Sequence, residues 1–319
     1  MGLSQGGSVS EAFAYDEILT EKAMKIGIAL GGGGAKGFAH IGVLKALGEA
    51  GIEFDIVAGT SIGALVGAVY ASGKLPELER VSKRYGVKDL PFLLGPTWPR
   101  KGIFSGNYIE RLLGDIVRVE SIEDLGKPFA AIAVDLNKAE VVTFTSGNLY
   151  RAVHASMCIP GLFKPVIDGE RILVDGGVLE PVPVSAVRRL GAGVVVAVDL
   201  LSNLSPISRG AGKRLVFSDY VRYLAEKFYM EDLIEVKGRE REAAVSLVDI
   251  IQRSSIVAQR KLTEYNFRDN PPGIVIDPPL SDIKVLDFHR GETIMERGRL
   301  AAEKVIPELR SLLTKTASR

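Results

Sequence analysis

The chain of 319 residues holds one cysteine, Cys158, so neither an intrachain disulfide nor a cysteine-based zinc cage can form. That scarcity fits a reducing compartment. Histidine is nearly as rare: His40, His154 and His289 lie far apart in sequence, which argues against a His-rich metal site. An excess of either charge is also missing. Lys+Arg number 40 and Asp+Glu 39, a formal net charge of +1, so the electrostatic footprint needed for a phosphate backbone is absent and nucleic acid is not an expected partner. No run of about 18 apolar residues is long enough to span a bilayer as a helix. Residues 1–20 carry Glu11, Asp16 and Glu17 where a secretory signal would be apolar. Met1-Gly2-Leu3-Ser4-Gln5-Gly6 begins like a myristoylation site but has Gly6 where Ser or Thr is required. These absences set the expectation of a cytoplasmic protein whose residues 1–22 form a flexible leader and whose contact with membranes, if any, is peripheral.

Composition supports a folded core. With 46% hydrophobic and 25% charged residues, one domain with appendages, or two at most, is expected. From Met24 to about Leu200, short Val- and Ile-rich runs alternate with helical patterns, the rhythm of parallel strands joined by crossover helices. Strands are predicted at Lys25–Leu30, Asp55–Ala58, Phe129–Val134, Val141–Thr145, Ile172–Val174 and Val194–Val198. Asp168-Gly169 reads as a hairpin turn and Asn137-Lys138 as another, so the sheet is expected to be mixed near one edge. Residues 87–105, rich in Pro and Gly, read as irregular. Beyond Leu200 the pattern changes to a loop at Ser202–Gly212, helical composition over 213–265, a short strand at Gly273–Ile276, a turn at Pro278-Pro279 and a helix from Gly291 to about Leu313. Phe217, Val221, Leu224 and Phe228 share one helical face, beside Tyr220 and Tyr223. Packing against the main domain or a second subunit is the first reading of that stripe, and a lid or membrane contact the second.

Three motifs carry chemistry. The loop Gly31-Gly32-Gly33-Gly34-Ala35-Lys36-Gly37, between a predicted strand and a predicted helix Phe38–Ala50, presents backbone N–H groups and a helix N-terminus to an anion. A nucleotide P-loop would need Ser or Thr after Lys36, and Gly37 stands there. A dinucleotide fits Gly32-x-Gly34-x-x-Gly37 but wants an acidic residue at the end of the next strand, which instead ends Val57-Ala58-Gly59. The oxyanion of an acyl-transfer intermediate remains, and Gly59-Thr60-Ser61-Ile62-Gly63 favours it. A Ser on a sharp strand-to-helix turn, flanked by two glycines that let strand and helix pack closely, is a nucleophile elbow. The N–H of Ile62 with those of Gly33 and Gly34 would surround the developing charge, each such donor being worth about 3 kcal/mol.

A serine hydroxyl needs a base. His40 sits one turn into the helix after the glycine loop and reads as structural. His154 reads as a packing residue, and His289 as part of a polar helix entry. The third motif, Ile172-Leu173-Val174-Asp175-Gly176-Gly177, places an acid at the end of an apolar strand; by itself it reads first as a turn-capping Asp.

The glycine loop, the Ser elbow and Asp-Gly-Gly, in this order, resemble the patatin-like phospholipase family, as does Ala155-Ser156-Met157-Cys158-Ile159-Pro160-Gly161-Leu162-Phe163. The resemblance covers about Lys25 to Leu190, and the tail from about Leu247 is similar to small bacterial members. It implies a three-layer α/β/α fold with a mostly parallel sheet over 24–200 and a helical C-terminal region, 201–319, packed on it; the segment 213–242 is longer than in those members and is read from its apolar stripe as a lid, membrane or dimer element. The resemblance also implies a Ser61–Asp175 dyad, an oxyanion loop over Gly32, Gly33, Gly34, Ala35, Lys36 and Gly37 completed by Ile62, and Gly59, Gly63, Gly176 and Gly177 as supports. The implied activity is hydrolysis of fatty acyl esters of lipids without a cofactor. A regulatory or scaffold protein of the same fold is the alternative reading, and a dinucleotide-dependent oxidoreductase a distant third.

Overall fold

The computed structural model describes residues 24–82, 106–203, 247–285 and 287–317. The stripe from Phe217 to Phe228, the segment 213–242 as a whole, residues 1–22 and residues 87–105 lie outside these residues.

Eight described strands form one mixed sheet. Its centre is parallel: β1 (Ile26–Leu30) lies between β2 (Ile56–Thr60) and β7 (Val194–Val198), and β8 (Ile274–Ile276) extends β7. β3 (Phe129–Asp135) runs parallel to β2, while β4 (Glu140–Phe144) and β6 (Arg171–Asp175) pair with β3 in antiparallel fashion. β5 (Val166–Asp168) makes a hairpin with β6 through Gly169, and residues 136–139 turn the chain from β3 into β4. The two turns and the mixed edge match the sequence reading.

Alternation along each central strand builds two cores. Ile28, Leu30, Val57, Val196 and Val198 face one apolar layer, whereas Ala29, Ile56, Ala58, Val195 and Ala197 face the other. Burial on both faces explains why these strands read as continuous apolar runs. Helices α1 (Phe38–Glu49), α2 (Ile62–Ala71), α3 (Leu75–Ser82), α4 (Asn107–Val117) and α5 (Leu149–Ser156) contribute to the first layer. Helix α6 (Val184–Arg189) and Phe267 of α7 (Leu247–Asp269) contribute to the second. The last helix, α8 (Gly291–Ala317), lies along α1. This is the three-layer α/β/α arrangement expected from the sequence. The helical stretch expected to end near 265 runs on to Asp269, and the last helix continues past Leu313 to Ala317.

One detail of the sheet positions the chemistry. Thr60 at the end of β2 lies beside Ile132 of β3, and Asp175 at the end of β6 lies beside Ala133, the next residue of β3. Both strands therefore share one edge of β3. They run in opposite directions and meet end to end, so Ser61 and Asp175 leave the sheet at the same place although they stand 114 positions apart in sequence.

Candidate active site

Ser61 sits between β2 and α2 with φ 57° and ψ −126°, a left-handed backbone that costs a non-glycine residue about 1–3 kcal/mol. Several bonds hold it there. Its carbonyl accepts from the N–H of Ala64 at 2.9 Å and starts α2. Its own N–H donates to Ser156 Oγ at 2.8 Å, and Ser156, at the end of α5, is fully buried. Close approach of strand and helix demands the glycine at 63, where a Cβ would lie 2.1 Å from the Leu30 carbonyl oxygen.

Asp175 is 5% exposed, as is Ser61. Its Oδ1 accepts from the Gly177 N–H at 2.7 Å, and its own N–H donates to the Cys158 carbonyl at 2.9 Å. Burial pushes the carboxyl up from 3.8 to about 6, against the opposing effects of the Ser61 hydroxyl and the Gly177 N–H, which favour the ionised form. A carboxyl of this kind is ionised at neutral pH and is a stronger base than a solvated one.

The histidines go elsewhere. His40 is fully buried, with Nε2 2.8 Å from the Gly31 carbonyl oxygen. His154 Nδ1 pairs with Glu110 at 2.7 Å, and His289 is exposed in a 3-10 turn. Among the described contacts none joins a histidine to Ser61 or Asp175. Cys158 lies close to Asp175, but burial holds its thiol up at about 12 and the Sγ–H donates to the His154 carbonyl; it stays protonated and is no competing nucleophile.

The glycine loop divides into N–H groups already bonded and N–H groups left over. Gly31 donates to Val198 O and Gly32 to Pro181 O, both at 3.0 Å, Ala35 to Val285 O at 2.7 Å and Lys36 to Gly33 O at 3.3 Å. No described bond takes the N–H of Gly33, Gly34 or Ile62. Gly33 caps and Gly34 opens a 3-10 turn over Gly34–Gly37, and Ile62 opens α2, so all three are orphan donors of helix starts. Gly34 takes φ +57°, and a Cβ there would collide with the Val285 carbonyl oxygen at 2.4 Å.

Lys36, placed by sequence in the oxyanion loop, turns its side chain toward the end of β7, where Nζ donates to Leu200 O at 3.4 Å. Burial lowers its pKa, and nearby Asp199 partly opposes that. Its side chain ties the loop to the sheet. Ser156 and the bond from Thr60 Oγ1 to Glu180 O at 2.8 Å were not singled out by sequence reasoning. Ser156 had a signal, since it falls in a segment of family resemblance; Glu180 had none.

A cavity of about 560 Å³ opens between β4, α6 and α7, lined by Thr143, Glu180, Ser185, Arg189 and Asn266 among others, and it does not include Ser61 or Asp175. Among the described residues no group of three or more His, Cys, Asp or Glu side chains is arranged to hold a metal ion.

A family model described as patatin-like phospholipase matches residues 28–188. An NTE family protein of Mycobacterium tuberculosis (strain H37Rv) is 30% identical over 329 residues, covering 88% of this chain and 91% of its own length. Patatin-like phospholipase domain-containing protein 6 of Homo sapiens is 30% identical over 283 residues, which cover 86% of this chain and 20% of the human one. Among solved structures, VipD from Legionella pneumophila aligns with a TM-score of 0.44 at 15% identity, covering 90% of this chain and 67% of that one.

Proposed function

Since the chain belongs to the patatin-like phospholipase family, we propose that it is a serine hydrolase of lipid acyl esters in which Ser61 is the nucleophile and Asp175 its base. The observation that carries the reading is the meeting of a strained Ser with a buried carboxyl whose pKa stands at about 6. The family name points to phospholipid esters as the first substrates to test.

In the proposed reaction the Asp175 carboxylate takes the Ser61 proton as Oγ attacks the ester carbonyl carbon. Negative charge gathers on the carbonyl oxygen, and the N–H groups of Gly33, Gly34 and Ile62 are the donors free to receive it. The tetrahedral adduct collapses, the C–O bond to the alcohol breaks, and protonated Asp175 returns its proton to the leaving oxygen. Water then loses a proton to Asp175 and attacks the acyl-serine; collapse of the second adduct returns that proton to Ser61 Oγ and frees the fatty acid. No step calls for a metal or cofactor. Lipid esters reside in aggregates, so this reading brings the enzyme to a lipid surface, and among the described residues no helix is long and apolar enough to cross one.

A panel of phospholipids, lysophospholipids and neutral glycerides, assayed for released fatty acid with wild type and Ser61→Ala, tests the proposal alongside fluorophosphonate labelling. Wild type is expected to label and hydrolyse, and Ser61→Ala to do neither. A folded wild type that does not label and cleaves no ester overturns it in favour of a scaffold role.

A further inference from the structure

His40 is buried completely, yet only one of its ring nitrogens has a partner. Nε2 lies 2.8 Å from the Gly31 carbonyl oxygen. A carbonyl oxygen only accepts, so Nε2 carries the proton and donates it. Nδ1 is then a bare acceptor with no partner, sealed from solvent. Burial pulls the imidazole down to about 4, so the ring is neutral throughout the working pH range. An orphaned acceptor carries a desolvation cost that an aliphatic side chain of similar size would avoid. What offsets that cost is the single bond to Gly31.

That bond falls on the peptide where a rotation would do most damage. The Gly31–Gly32 unit has its carbonyl held by His40 and its N–H held by the Pro181 carbonyl. A Cβ on Gly32 would lie 3.5 Å from Ser61 Cβ, which puts this unit against the nucleophile. Two consecutive glycines offer almost no steric resistance to a peptide flip. Such a flip would break both bonds and reorient the loop that carries the Gly33 and Gly34 donors.

Resting on the dyad reading above, we propose that His40 is a positioning residue: by donating Nε2–H to Gly31 O it locks the Gly31–Gly32 peptide and thereby keeps the loop's N–H groups aimed at the Ser61 site. It touches no reacting atom. Gly31 N–H, which belongs to the preceding Leu30–Gly31 peptide, is bonded to Val198 O and holds that peptide to β7, which leaves the His40 bond as the restraint on the Gly31 carbonyl.

The test uses the full chain with a soluble short-chain nitrophenyl ester, and the variants His40→Leu, His40→Gln and His40→Asn. Gln places an N–H donor near the position of Nε2, Asn places one near Nδ1 and falls short of Gly31, and Leu has none. His40→Leu and His40→Asn are expected to lose about 10- to 100-fold in kcat with KM unchanged, the scale of loss from misplaced catalytic groups. His40→Gln is expected to recover most of it, and the acid limb of the pH profile is expected to stay at about pH 6 in all of them. Should Leu not fold at this position, the contrast between Gln and Asn carries the test alone. Full kcat in folded His40→Asn overturns the inference, as does equal loss in Gln and Asn or an acid limb that moves with residue 40. Wild type and Ser61→Ala are measured alongside. An inactive wild type defeats the dyad reading, whereas an active wild type with indifferent His40 variants defeats this inference only.

Discussion

Replacing Asp175 with Asn separates what the carboxyl costs the fold from what it does for the reaction. Burial raises its pKa from 3.8 to about 6, so the folded protein holds this proton more tightly than the unfolded chain. The associated stability is fully present below pH 3.8 and is lost as pH rises through about 6. A difference of about two pH units corresponds to about 3 kcal/mol, which the ionised enzyme gives up at neutral pH. Asn never ionises and still offers an oxygen to the Gly177 N–H that Oδ1 now accepts. At about 2 cal/mol/K of unfolding entropy per residue, the variant is expected to melt about 4 °C above wild type at pH 8, with the two curves coinciding near pH 4. Its kcat is expected to fall by about 10³-fold, the range for loss of a general base. Wild-type kcat/KM should itself fall tenfold per pH unit below about pH 6, as Asp175 takes up its proton. Differential scanning calorimetry across pH, with ester hydrolysis on the same preparations, checks all of these. A melting difference independent of pH would refute the reasoning about burial, and an Asn variant with wild-type kcat would refute the dyad.

Ser156→Ala removes the acceptor for the Ser61 N–H and is expected to lower stability by about 1–3 kcal/mol while slowing fluorophosphonate labelling of Ser61; chemical denaturation and a labelling time course read both. Gly63→Ala drives a Cβ to 2.1 Å from the Leu30 carbonyl oxygen and is expected to cost about 3 kcal/mol or more through overpacking, seen as a lower melting temperature and lost hydrolysis. Lys36→Met removes the donor to the Leu200 carbonyl and one of the two cations, beside Arg260, that favour the buried Asp199 charge, and is expected to destabilise by about 1–3 kcal/mol, measured by thermal unfolding.

Local motifs made the proposed reacting groups readable from the sequence. Gly59 to Gly63 spans the end of a strand of five buried residues, and Asp175 ends another strand, so each announces itself within a few positions. The two hairpin turns were equally local. What holds these groups is not local: Ser156 reaches Ser61 across 95 positions, and Glu180 reaches Thr60 across 120. Such bonds depend on strand order and register, which no short pattern encodes. The division of the glycine loop into bonded and free N–H groups was hidden for the same reason, because the partners Pro181, Val198 and Val285 come from three separate parts of the chain. Lys36 shows the limit of motif reading most plainly, for its position beside the nucleophile loop says nothing about the direction its ammonium takes.

The end-to-end meeting of β2 and β6 along β3 makes the proposed active centre a checkpoint on assembly. A slip of one residue between β3 and β6 would turn Asp175 to the opposite face of the sheet, leaving a molecule with nearly all its secondary structure and no base beside Ser61. Recovery of hydrolysis during refolding therefore counts only chains whose β5–β6 hairpin has docked in the correct alignment, and it is expected to lag behind the return of secondary structure.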